Sequence, residues 1–115
     1  PGPPPEGRAR DPVPAMPGFD DLGLALWWVQ QALFTCGTDG ESAFGTYEIV
    51  FSSDGSVESA RLESGSYDDG RPLAGSPMEH CILAVLRRPR VPPFTSPSVL
   101  IDHQGFRIGS GRDAP

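Results

Sequence analysis

The sequence predicts an α+β domain: a three-stranded antiparallel sheet of strand order 2-1-3, two helices on one of its faces, and the chain order αββαβ. Three observations lead there. Apolar residues recur at helical spacing in two separate stretches, Leu22 to Cys36 and Met78 to Leu86. Strand-favouring runs flank the Asp54-Gly55 pair and a third run follows from Ser98 to Ile108. The length of 115 residues allows one core, because a compact domain typically takes about 100 to 150 residues.

Residues 1 to 18 hold seven of the fourteen prolines and almost nothing apolar. Such a segment cannot offset the entropy of packing, so it is expected to be a disordered linker. Extended at about 3.1 Å per residue, it would hold the domain about 50 Å from whatever precedes it. The opening Pro1-Gly2-Pro3-Pro4-Pro5 lacks a Met, as a mature or excised fragment would. The folded part is then expected over 19 to 109, with a loose tail over 110 to 115.

In the first helix, Leu22, Ala25, Leu26, Val29, Ala32, Leu33 and Cys36 share one face. Asp20 or Asp21 is expected to cap its first turn, and Gly37 to stop it. From Gly45 to Ser52, Tyr47, Ile49 and Phe51 alternate with Thr46, Glu48 and Val50, the period of a strand. Asp54-Gly55 supplies the turn, and Val57 to Glu63 returns as a weaker strand. The phase of Val57, Ala60 and Leu62 calls for a bulge just after that turn.

A polar, Gly-rich connection over 64 to 75 leads to Ser76-Pro77-Met78-Glu79. This is a helix start: Ser76 at the N-cap, Pro77 at the first helical position and Glu79 completing a capping box. Met78, Cys81, Ile82, Val85 and Leu86 form its inward stripe, Arg87 and Arg88 suit its negative end, and Pro89 stops it. The prolines around Phe94 exclude a helix. In the last strand Val99, Ile101 and His103 lie on one phase and Phe106 and Ile108 on the other, with Gly105 the expected site of the phase change. A crossover through the second helix sets this strand beside the first, at an edge of the sheet.

Cys36 and Cys81 each belong to an inward stripe, Cys36 at the end of the first helix and Cys81 in the first turn and a half of the second, and two helices on one face can bring them together. A bond would close a loop of about 45 residues, worth about 4 kcal/mol, and imply an oxidising compartment. The alternative is two buried free thiols. A metal site is not expected, because no C-x2-C or H-x3-5-H pair exists and adjacent His80 and Cys81 point about 100° apart on a helix.

Nine Arg against fifteen Asp and Glu leave a net charge of −6, the wrong sign for tracking phosphates, so no nucleic-acid partner is expected. The motifs of serine hydrolases, phosphate loops, dinucleotide folds and zinc peptidases are absent from the sequence, and there is no Lys. Asp68-Asp69, adjacent acids in a Gly-rich loop, are expected to be solvated rather than catalytic. We therefore expect no enzyme activity and no cofactor. Trp27 and Leu24 point about 140° and about 160° to 200° away from the centre of the first helix's stripe. Either they anchor a partner, or the linker or the segment near Phe94 covers them.

The run from Gly45 through Asp54-Gly55 to Leu62, the helix opening at Gly75-Ser76-Pro77 with Cys81 a few residues on, the Arg90-Val91-Pro92-Pro93-Phe94 segment and the closing strand together resemble TonB C-terminal-like domains. The similarity covers residues 22 to 108 and is greatest to the AgmX-type branch of envelope and gliding-motility proteins. An upstream Cys ending the first helix also belongs to that branch, which supports pairing Cys36 with Cys81. Trp27-Trp28 and Asp102-His103-Gln104 depart from the pattern.

The resemblance implies a periplasmic module, tethered to an inner-membrane anchor outside this fragment, that binds an envelope protein or peptide by strand addition for energy transduction or motility. The partner-binding residues are then Val99, Ile101 and His103 on the edge strand; the outward placement of Trp27 and Leu24 on the first helix, not the resemblance, makes these two a candidate second contact. The topology leaves the same strand at an edge, which strand addition requires. The alternative is a sensory ectodomain of a membrane-spanning kinase.

Overall fold

Helix α1 (Phe19–Leu33) is N-capped by Gly18, and neither Asp20 nor Asp21 caps it by side chain. Both acids lie within the first turn, where their charge still favours the positive dipole end. The helix tightens into a 3-10 turn, Phe34–Gly37. A side chain on Gly37 would come within 2.9 Å of Ile108 Cγ2, so this glycine serves close approach as well as helix termination. The structure, a computed structural model, describes residues 13–37 and 40–109. Most of the expected linker, residues 1–12, and the tail from 110 lie outside the described residues. Within the expected linker, Pro14 and Ala15 accept main-chain hydrogen bonds from Thr95 and Ser96 at 2.9 and 3.0 Å, and Pro17 is buried.

Strands β1 (Ala43–Ser52), β2 (Val57–Tyr67) and β3 (Ser98–Ile108) form an antiparallel sheet of order β2-β1-β3. Helix α2 (Pro77–Leu86) lies between β2 and β3 in the chain. The fold is therefore α+β with the connectivity αββαβ. Tyr47, Ile49 and Phe51 point into the core, while Phe44, Thr46, Glu48 and Val50 occupy the opposite, uncovered face. The core joins Val29 and Leu33 of α1, Ile82 and Leu86 of α2, and Ile108 of β3 to these residues.

The turn between β1 and β2 is built by Asp54. Its Oδ1 accepts from the Ser56 hydroxyl at 2.6 Å, the Ser56 N–H at 2.9 Å and the Ser52 hydroxyl at 2.8 Å. These bonds favour the carboxylate and lower its pKa to about 2. The expected bulge follows at once: Val50 pairs with Ser59 but Phe51 with Val57, leaving Glu58 over.

A second bulge leaves Glu63 over between Leu62 and Ser64, and β2 continues past it to Tyr67 instead of ending at Glu63. Tyr67 is buried with the Arg71 guanidinium 4.3 Å above its ring. The polar connection after it supplies a core residue, Leu73, whose N–H reaches the Gly65 carbonyl at 3.2 Å.

Ser76 caps α2 through its hydroxyl, which accepts from the Glu79 N–H at 3.1 Å. The return bond from Glu79 goes to the Gly75 N–H at 2.7 Å, one residue before the cap. Cys36 and Cys81 are joined by a disulfide, with Cα atoms 5.7 Å apart, so the end of α1 is tied to the first turns of α2.

Candidate functional site

The candidate site begins with the main chain of β3, since an edge strand presents a row of N–H and C=O groups to a partner. Arg107 identifies the outward groups: its carbonyl accepts from Gln30 Nε2 of α1 at 2.9 Å, and Ser42 and Ser52, in step with Phe44 opposite it, bond to Asp68 and Ser56 on the β2 side. Phe44, opposite Arg107, therefore turns its main chain to β2, and alternation turns Tyr47, Ile49 and Phe51 toward β3. Their partners Gln104, Ile101 and Val99 face inward. The outward positions are thus Ser98, Leu100, Asp102 and, beyond the irregularity described next, Gly105.

The expected binding residues are placed unevenly along this edge. Val99 has its main chain on β1 and its side chain in the core, Ile101 is half-buried against that core, and Leu100 between them is exposed. His103 belongs to neither row. Tyr47 pairs with Gln104 and Ile49 with Ile101, so Asp102 and His103 together face Glu48 across a bulge. The phase change falls here and not at Gly105, because His103 takes a left-handed φ of 55°. Its N–H and Nδ1 both meet Glu63 Oε1 at 3.0 Å.

Glu63 spans β1 to make these contacts, its side chain only 11% exposed against 79% for His103. The contact raises the His103 pKa, first through the hydrogen bond and then through the charge of Glu63, and lowers that of Glu63. Glu63, Asp102 and His103 bring ligand-type atoms within 4.8 Å of one another. Glu63 spends one oxygen on two hydrogen bonds there, which is the geometry of an ion pair pinning a bulge.

Both ends of the edge are covered by the chain itself. Pro14 and Ala15 pair with Thr95 and Ser96 just ahead of β3, and Gln30 takes the Arg107 carbonyl near its end. Beyond Gln30 a cleft of about 280 Å³ opens among Phe34, Arg107 and Gly109. The open window therefore runs from Ser98 to Gly105, with a kink at His103.

Trp27 and Leu24 are 61% and 65% exposed, so among the described residues neither 13–18 nor the Phe94 segment buries them. Trp28, beside them, instead lies 5.2 Å under the Arg88 guanidinium. Asp68 and Asp69 make separate ion pairs, with Arg107 at 3.1 Å and Arg71 at 2.9 Å, and do not face each other as a catalytic pair. His80 is exposed. Among the described residues no helix is long and apolar enough to cross a membrane.

The sequence reading missed Glu63 and Gln30. Glu63 was legible only as the last residue of a weak strand, and Gln30 as a polar residue beside the inward stripe.

The fold and site define a two-layer α+β domain with an open sheet edge overhung by a helix. Comparison with known proteins yields no matching family model, curated protein or solved structure.

Proposed function

We propose that this chain is a non-enzymatic protein-protein interaction module of TonB C-terminal-like type, working in the periplasm and taking an extended segment of an envelope partner as a fourth strand on β3. It thereby couples an inner-membrane protein, attached through the Pro-rich tether, to that partner. The observation that carries the reading is the open window of β3 between two self-made covers, at Ser96 and at Arg107. Main-chain groups there supply affinity without demanding a particular sequence. The Cys36–Cys81 bond supports an oxidising compartment.

The test uses a library of phage-displayed random 12-residue peptides, with Leu100→Pro as the control. The Leu100 N–H points away from β1, so proline there removes an outward donor and leaves the internal ladder intact. Selected peptides should bind the wild-type chain and lose at least tenfold in affinity for Leu100→Pro, while its thermal unfolding stays close to wild type. Equal binding to the folded Leu100→Pro chain refutes the edge as the site.

A further inference from the structure

The Gln30 contact shows which side of α1 overhangs the edge of β3. At about 100° per residue, Phe19, Gly23, Leu26 and Gln30 fall within about 60° of one another, a straight row on that side. The helix runs in the direction of β3: Pro14 and Ala15, just ahead of it, bond to Thr95 and Ser96, and Gly37, just after it, packs on Ile108. With a rise of about 1.5 Å per residue, Phe19 lies about 16 Å back from Gln30. That distance covers about five strand residues, the stretch from Asp102 to Arg107.

A strand added to β3 points every second side chain toward the helix layer, onto this row. The middle of the row is a gap. A Cβ at Gly23 would meet no atom within 4 Å, while Phe19 on one side is 90% exposed and Leu26 on the other is half-buried. Glycine costs a helix interior stability, and here it leaves an opening one side chain wide between two apolar walls. On the uncovered face the same edge is acidic: Asp102 lies opposite Glu48 there, and the nearest basic group to it is the His103 ring at 4.0 Å.

We propose that Phe19, Gly23 and Leu26 form a specificity subsite for the added strand, taking one bulky apolar side chain over Gly23, with a Lys or Arg adjacent to it in the same segment pointing to the uncovered face beside Asp102. This rests on the strand-addition reading and names the chemistry of the segment it selects.

The full chain is panned against the same peptide library, and a synthetic peptide of the selected sequence is then titrated into variants. The wild-type selection should enrich a bulky apolar residue at one position with a basic neighbour. Gly23→Leu should weaken that peptide at least tenfold, and repanning on Gly23→Leu should replace the bulky residue by Gly, Ala or Ser. Gly23→Gln, which fills the same open space with a polar chain, guards against an effect of Leu on folding or solubility and should weaken the peptide similarly. Asp102→Asn should remove the basic preference. If Leu100→Pro abolishes binding but both Gly23 variants bind like wild type, the subsite is refuted and strand addition stands. If Leu100→Pro also binds like wild type, or no peptide is enriched, both readings fall.

Discussion

Glu63 Oε1 accepts from both the main-chain N–H and Nδ1 of His103, each at 3.0 Å, although β1 lies between the strands carrying the two residues. A carboxylate only accepts, so Nδ1 carries the hydrogen. Each residue sits at a bulge in its own strand, and the two bulges meet over the uncovered face. The contact thus fastens one sheet edge to the other and sets the conformation of the edge proposed to bind.

Its pH dependence follows from two opposite shifts. His103 is raised above its ordinary 6.5, so its contribution is fully present below that value and is lost as pH rises through the higher folded value. Glu63 is lowered below its ordinary 4.5, so its contribution is present above that value and is lost as pH falls through the folded value. The pair therefore stabilises most between about pH 4.5 and 6.5. Glu48 and Asp102 add smaller attractions on the imidazolium. In a proton NMR titration, Glu63→Gln should move the His103 midpoint down toward its ordinary value. An unchanged midpoint contradicts the assignment.

Reduction should weaken the domain substantially. The Cys36–Cys81 bond spans 45 residues of sequence, and closing a loop of that size is worth about 4 kcal/mol through the unfolded chain. Urea unfolding of Cys36→Ala with Cys81→Ala should show a loss of this order. A loss below about 1 kcal/mol would mean that the reduced unfolded chain already holds the two segments close.

Gly55 carries a second structural demand. Its φ is 92°, its carbonyl accepts from the Val91 N–H at 2.9 Å, and an added Cβ would collide with the Val91 carbonyl. The Phe94 N–H meets the Ser53 carbonyl at 2.9 Å close by, so the β1–β2 turn holds the Pro-rich segment that leads into β3. Gly55→Ala should cost about 2 kcal/mol or more, measured by thermal or urea unfolding. Gly70, whose φ is 95° but whose Cβ would meet nothing within 4 Å, is the comparison: Gly70→Ala should cost only the backbone term, about 1 to 2 kcal/mol.

What the sequence made legible was local. Ser76, Pro77 and Glu79 act within one helical turn, and Asp54-Gly55 within one hairpin, so short-range chemistry sufficed to place them. The strand order followed from connectivity. The bulge at His103 was displaced to Gly105 in the sequence reading because glycine is the residue that takes positive φ at least cost. His103 takes it instead, held by a carboxylate 40 residues away. Of the expected site residues, Val99 and Ile101 lie in the inward row of β3 and His103 at a bulge that inverts which residues face out. No local pattern carries that information.

The bulge also bears on whether the exposed edge pairs with a second copy of itself. Bulges and charges are devices that keep edge strands from joining, and Asp102 and His103 supply both midway along the open window. Deleting His103 leaves a single residue opposite Glu48 and restores a regular ladder. Combined with Glu63→Gln, which removes the carboxylate left without its partner, the deletion should give a folded chain with a straight, continuous edge. Sedimentation velocity should then show self-association at concentrations where the wild-type chain sediments as a single smaller species. Leu100→Pro added to the deletion should reverse it. If the deletion variant, folded by circular dichroism, sediments like wild type, the bulge is not what guards this edge, and the covers at Ser96 and Arg107 must suffice.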